Sequence, residues 1–164
     1  MTKPAQAMSG RNRPDLQEIL SRIEARLGDK LRYYDSELHG LSHLREVALL
    51  AGKIAAESAV DVETAMVAGF LHDCGRIDDG GGNVHAIDSA KLAHPLLTRL
   101  FPHLDADKVC RAIAAHADGL TTDDLLVGAL WDADRLTLER LGRIVRESLL
   151  STPAAKRMLK EKMP

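Results

Sequence analysis

Aromatic residues are nearly missing from this chain of 164 residues: two Phe, two Tyr and one Trp, 3% in all. Its core must therefore be built from Leu, Ala, Ile and Val. The β-branched and aromatic runs that make strands are also lacking, which favours helices over sheet. Cysteine is equally scarce. Cys74 and Cys110 are too few for a disulfide framework and read as reduced thiols, in keeping with an expected cytoplasmic location. No apolar run approaches the roughly 20 residues of a membrane span. Residues 1–13 are polar with Pro and Gly, carry no hydrophobic leader segment, and read as a loose tail. Nor is one sign of charge in excess. A net charge of −2 gives no basic surplus of the kind that grips a nucleic-acid polymer, so neither a polymeric nucleic acid nor a membrane is expected as partner.

What is present fits one soluble domain: hydrophobic residues make up 45% of the chain and charged residues 28%, an ordinary globular balance. The domain is placed at 14–151, between the tail 1–13 and a basic, frayed tail 152–164. Pro14 reads as a first-turn proline, followed by Leu16, Ile19, Leu20, Ile23 and Leu27 at helical spacing and by Gly28 as a stop. Ser42 is a candidate cap for a second helix with Val47, Leu50, Ala51, Ile54 and Ala55 on one face and His43 in its first turn. Asp61 caps a third helix running into His72-Asp73. Residues 78–83, Asp-Asp-Gly-Gly-Gly-Asn, form a loop. A fourth helix spans about 85–100, a fifth runs from the Asp105 cap to near His116, and a sixth starts at Thr122 and leads into Asp132 and Asp134. A last amphipathic helix is expected over 136–150. The expectation is an all-α bundle of about six to seven helices, without internal repeats.

The residues that carry chemistry are ordered along this frame: His43, His72-Asp73, His85 or His94, His116, and Asp132 or Asp134. Most of them fall at predicted helix ends, where side chains from separate helices can be aimed at one point. Mixed imidazole and carboxylate donors suit iron, manganese, zinc, cobalt or nickel, and argue against calcium or magnesium alone. His85 and His94 are nine residues apart, and at about 100° per residue they lie on opposite faces of one helix, so only one can face such a centre. His39, one turn before His43, reads as an exposed loop residue. His103 reads as a surface turn residue.

Four segments taken together resemble the HD-domain metalloproteins: Ser42-His43-Leu44-Arg45-Glu46-Val47, Leu71-His72-Asp73-Cys74-Gly75-Arg76, Ala112-Ile113-Ala114-Ala115-His116, and Trp131-Asp132-Ala133-Asp134-Arg135-Leu136. The resemblance covers roughly residues 40–140. It implies that His43, His72, Asp73 and Asp134 hold one divalent transition metal. A second ion would be held by His116 and His85, with Asp73 bridging both. His85 is preferred over His94 because it precedes Ser89-Ala90 in the manner of the family and borders the glycine loop. Asp132 would then be structural. Arg76 stands where the nucleotidase and guanosine-tetraphosphate hydrolase branches carry Glu. The stretch after His116 also lacks the second His and the Gly-Tyr-Pro triplet of the cyclic-dinucleotide phosphodiesterases.

The implied activity is that of a metal-dependent phosphohydrolase acting on a small phosphorylated molecule, a nucleotide being the natural choice, through metal-activated water. Asp73, Arg76 and Arg135 are the expected catalytic residues, the two arginines gripping phosphate; Lys91 is a weaker candidate. Two alternatives remain: a diiron oxygenase of the same superfamily, and a domain that binds a nucleotide as a regulator without catalysis.

Overall fold

Local chemistry accounts for where five of the seven helices begin. In a computed structural model that describes residues 13–162, Asp15, Asp61, Asp105 and Asp124 each turn a carboxylate back onto the free N–H groups of a first turn. They start α1 (Leu16–Leu27), α3 (Val62–Leu71), α5 (Ala106–Ala114) and α6 (Leu125–Thr137). Thr152 does the same for α7 (Pro153–Glu161). Between these lie α2 (Leu41–Glu57) and α4 (Val84–Leu100). No strand occurs among the described residues, and the all-α expectation holds.

Several boundaries differ from the expectation. Pro14 precedes the first helix instead of sitting inside it, because Asp15 takes the cap. Gly40 occupies the cap of α2 without a side-chain bond, which places Ser42 within the first turn. Thr122 yields to Asp124, whose carboxylate accepts from both Leu126 and Val127 N–H while the Thr122 hydroxyl supports Asp124 N–H. The helix expected over 136–150 does not form. The chain leaves α6 through a 3₁₀ turn (Leu138–Leu141), reverses at Gly142 with φ of 71°, and reaches a second 3₁₀ turn (Glu147–Leu149). The segment from 152 is no frayed tail: it is α7, with Ala154, Ala155, Met158 and Leu159 buried. The loose tail expected at 1–13 falls almost wholly outside the described residues.

Helix α3 is the axis of the molecule. Every residue from Thr64 to Leu71 is buried, as expected for a helix apolar on all sides. Helix α2 lies along it, and two glycines let them approach: a Cβ on Gly69 would sit 2.9 Å from Ala48 Cα, and one on Gly52 would meet the Met66 side chain at 2.7 Å. Helix α6 crosses α2 and α3, while α4 and α5 pair on the far side. The C-terminal end of α3, where His72 and Asp73 emerge, is thus surrounded by the starts of α2 and α4, the end of α5 and the last turn of α6.

Candidate metal centre

Each of the six expected ligand residues reaches this junction. His43 sits in the first turn of α2, His72 is the C-cap of α3 with Asp73 next to it, His85 is in the first turn of α4, His116 follows the C-cap of α5, and Asp134 projects from α6. His43, His72, Asp73 and His116 are buried. Nε2 of His43 lies 3.3 Å from Asp134 Oδ1, and Nε2 of His72 lies 3.4 Å from the same oxygen. The Asp73 carboxylate divides between two groups. Its Oδ2 faces His72 Nε2 at 3.5 Å and His43 Nε2 at 3.8 Å; its Oδ1 faces His85 and His116 Nε2, each at 3.4 Å. Two constellations able to hold an ion follow, His43–His72–Asp134 and His72–Asp73–His116.

The donor chemistry fits a metal. Nε2 of His43, Nε2 of His72 and Oδ1 of Asp73 are buried without an aligned hydrogen bond, a costly arrangement for polar atoms unless something binds them. His72 and His116 each direct Nδ1 to a main-chain carbonyl, Gly69 and Ile113 respectively, both at 2.7 Å. A carbonyl only accepts, so the proton is on Nδ1 and Nε2 is left as the donor to an ion. His43 differs. Its Nδ1 faces Nη2 of Arg140 at 2.9 Å, and because guanidinium only donates, ligation through Nε2 requires this contact to give way.

Electrostatics at the junction follow from the same packing. Burial alone would lower the His72 imidazole, but the carboxylates of Asp73 and Asp134 and the Gly69 carbonyl outweigh it and raise its pKa to about 9. Burial would raise both Asp73 and Asp134, yet the surrounding imidazoles hold both well below the usual carboxylate range. His85 is pushed down to about 4, chiefly by burial.

The arginines differ from expectation in their engagement. Arg76 directs Nε to Asp73 Oδ2 at 2.9 Å, Nη1 to the carbonyls of Gly80 and Asp78, and Nη2 to His85 Nε2 at 3.2 Å. It orients Asp73 and carries the glycine loop. Arg135 donates to the Leu149 carbonyl and stacks over Trp131 with 5.8 Å to the ring centre, and its buried Nη2 has no partner. Asp132 is structural: it accepts from Ser151 N–H, Thr152 N–H and the Thr152 hydroxyl at 2.7–2.8 Å. His94 pairs with Asp107 on the surface, His103 with Glu63, and Lys91 with Asp88, so none of these three reaches the junction.

One residue read as an exposed loop histidine belongs here. His39 directs Nδ1 to Asp79 Oδ1 at 2.7 Å, and its ring meets that of His43 edge-on at 5.7 Å. The i, i+4 spacing to His43 was the available signal; the Asp79 partner, forty residues on, was not. His39, Asp79 and Gly80, Gly81 and Gly82 line a cavity of about 440 Å³ together with the metal-ligand candidates other than His72, and with Arg76, Arg135 and Arg143. The glycine loop is held by Ser36, His39 and Arg76 over one wall of this cavity.

Comparisons with known proteins agree with the geometry. A family model described as HD domain matches residues 40–141. Ribonuclease Y of Syntrophobacter fumaroxidans is 38% identical over 125 residues, which is 75% of this chain and 22% of that protein. Ribonuclease Y of Geobacter sulfurreducens is 28% identical over 140 residues, 85% of this chain and 24% of its own. The chain therefore spans under a quarter of the length of the curated relatives it matches. A crystal structure described as a predicted HD superfamily hydrolase from an uncultured Thermotogales bacterium superposes with a TM-score of 0.62 at 27% identity, over 91% of this chain and 85% of that one.

Proposed function

This chain belongs to the HD-domain family of metal-dependent hydrolases, and from that premise we propose that it is a phosphohydrolase acting on a small nucleotide phosphoester with two divalent transition ions. The observation that carries this reading is the Asp73 carboxylate, with one oxygen toward His43 and His72 and the other toward His85 and His116. That division suits two ions, one on each side of the Asp73 carboxylate, which would supply hydrolytic chemistry at phosphorus. His43, His72, Asp73 and Asp134 would hold one ion; His116, and His85 once Arg76 Nη2 releases its Nε2, would join Asp73 around the other. When bound, the ions lower the pKa of water toward neutrality and offset charge that develops on the phosphoryl oxygens.

The chain's own residues do the rest. The carbonyls of Gly69 and Ile113 fix the rings of His72 and His116. Arg76 holds the Asp73 carboxylate and anchors the glycine loop on the cavity wall. Arg135 and Arg143, both on the cavity wall, are the groups to grip phosphate, which guanidinium matches with paired donors. A cavity of about 440 Å³ accommodates a ligand of mononucleotide size.

The relatives favour a second reading, in which the phosphoester belongs to RNA, since those proteins are ribonucleases by name. One experiment separates the readings. Elemental analysis of the purified protein should give about two metals per chain. His85→Ala should lower this toward one, whereas His94→Ala should leave it unchanged. The protein is then offered nucleoside monophosphates and a short oligoribonucleotide. Release of phosphate from the mononucleotides is expected; cleavage of the oligonucleotide alone would move the substrate to RNA. Substrate-dependent oxygen consumption without hydrolysis of either would replace the proposal with oxygenase chemistry.

A further inference from the structure

We propose that the substrate is a nucleoside bisphosphate, with one phosphate split at the metal centre and the other held by Arg143, an inference that rests on the phosphohydrolase reading above. Four arginines line the cavity: Arg76, Arg135, Arg140 and Arg143. Three of them are engaged within the protein. Arg76 binds Asp73 and the glycine loop, and Arg135 donates to the Leu149 carbonyl. Arg140 donates to the carbonyls of Glu37 and Leu38, faces His43 Nδ1 at 2.9 Å and lies 3.5 Å from Glu46. The Arg143 side chain is exposed and has neither a hydrogen bond nor an ion pair among the described residues.

Its place separates Arg143 from an arginine that is merely solvated. The chain reverses at Gly142, and Arg143 N–H then donates to the Leu138 carbonyl at 3.3 Å. Leu138 stands four residues, or about 6 Å, beyond Asp134 along the helix axis. A fastened turn therefore sets an unopposed cation on the wall of the same cavity, about one helical turn from a metal-ligand candidate. Ions at the junction meet the charge of the phosphate being split. The charge of Arg143 is left for a second anion, and guanidinium binds phosphate through paired N–H donors.

The rest of the lining gives a nucleobase little to be recognised by. Among the described residues, no Phe, Tyr, Trp, Asn or Gln side chain lines the cavity, and its apolar part is Leu38, Leu138, Leu141 and Leu149. The Thr137 hydroxyl is turned to the Asp134 carbonyl. A base finds apolar cover there, without a ring to stack on or an amide to match its edge. Discrimination falls to the phosphates.

The reaction consumes one water. Its oxygen joins phosphorus, and the ester bond breaks with the electron pair left on the sugar oxygen. One water proton ends on that oxygen and the other stays with the released phosphate. The second phosphate passes through unchanged, so the product is a nucleoside monophosphate.

The test compares adenosine 3′,5′-bisphosphate with adenosine 5′-monophosphate and 3′-monophosphate on the metal-loaded protein, with metal content measured for every variant. The wild type should favour the bisphosphate in kcat/KM by about 10- to 100-fold, mostly through KM. Exchanging adenosine for uridine should matter far less than removing a phosphate. Arg143→Gln should bring the bisphosphate-to-monophosphate ratio toward one while holding the wild-type amount of metal. Arg146→Gln removes the same charge from the same segment outside the cavity lining and should keep the ratio. A wild-type ratio near one, a ratio unmoved by Arg143→Gln, or equal falls in both variants would overturn the second-phosphate site and leave the phosphohydrolase reading standing. A 5′-phosphorylated adenosine dinucleotide split faster than the bisphosphate would overturn the nucleoside bisphosphate in favour of an RNA end. Failure of the metal-loaded wild type to release phosphate from any of these esters would count against the phosphohydrolase reading itself, and the second-phosphate site would fall with it.

Discussion

At the scale of single residues, His72 sets the terms on which a metal enters. Its imidazole is wedged between Asp73 and Asp134 and its pKa stands at about 9, so without metal it holds a proton on Nε2 throughout the neutral range. An ion must displace that proton. Raising the pH from 7 toward 9 removes the competition, and the apparent affinity should rise about tenfold per pH unit before levelling off. Titration calorimetry of the metal-free protein with Zn²⁺ or Mn²⁺, in buffers of different ionisation enthalpy, should detect the release of about one proton at pH 7. An affinity that does not change between pH 7 and 9 would contradict this account. The same raised pKa stabilises the metal-free fold. That contribution is complete below the unfolded imidazole value of about 6.5 and is lost as the pH climbs through about 9.

At the scale of elements, the junction depends on how closely α4 approaches the end of α3, and Gly75 decides that distance. A Cβ on Gly75 would lie 2.5 Å from Ser89 N and 2.7 Å from the Asp88 carbonyl carbon, and Gly75 N–H donates to Ser89 Oγ at 2.8 Å. Both obstacles are backbone, so Gly75→Ala must push α4 outward and carry His85 away from Asp73. Overpacking of this kind costs about 1–3 kcal/mol. The expected outcome is a lowered melting temperature together with loss of the ion shared by His85, His116 and Asp73, the ion at His43, His72 and Asp134 being kept. Retention of both ions would show that the glycine is not what brings α4 close. Much of this layout was legible in the chain. The apolar run ending in His72-Asp73, the caps Asp61 and Asp105, and the opposite faces of His85 and His94 are local facts that the fold preserves. What could not be read depends on partners distant in sequence. The cavity position of His39 rests on Asp79, and the engagement of Arg76 rests on the carbonyls of a loop whose path only the packed helices define. The caps Ser42 and Thr122 failed because a neighbouring residue, Gly40 or Asp124, took the position.

At the scale of the whole molecule, the least legible part is the chain after α6, where an amphipathic pattern suggested a helix over 136–150 and a loose end after it. Gly142 breaks that pattern by turning into the left-handed region, and the folded-back strap is fastened by buried polar groups, Arg135 to the Leu149 carbonyl and Asp132 to Ser151 and Thr152. These bonds deliver Thr152 to the start of α7, which then covers α6 with Ala154, Ala155, Met158 and Leu159. The side chains of Met158 and Leu159 contribute about 1.5–3 kcal/mol each by burial, a large share of the 5–15 kcal/mol that holds a domain together. Truncation after residue 151 removes that contribution and strips Asp132 of two of its three donors, leaving a buried carboxylate underpaired beneath the strap that bears Arg143 and is fastened to Arg135. The shortened chain should melt at least 10 °C lower than the full chain and lose its metal before it unfolds, since Asp134 lies on the helix that α7 covers. Thermal melts followed by circular dichroism, with and without added Mn²⁺, check this. A truncated chain with an unchanged midpoint would mean that the domain closes without α7.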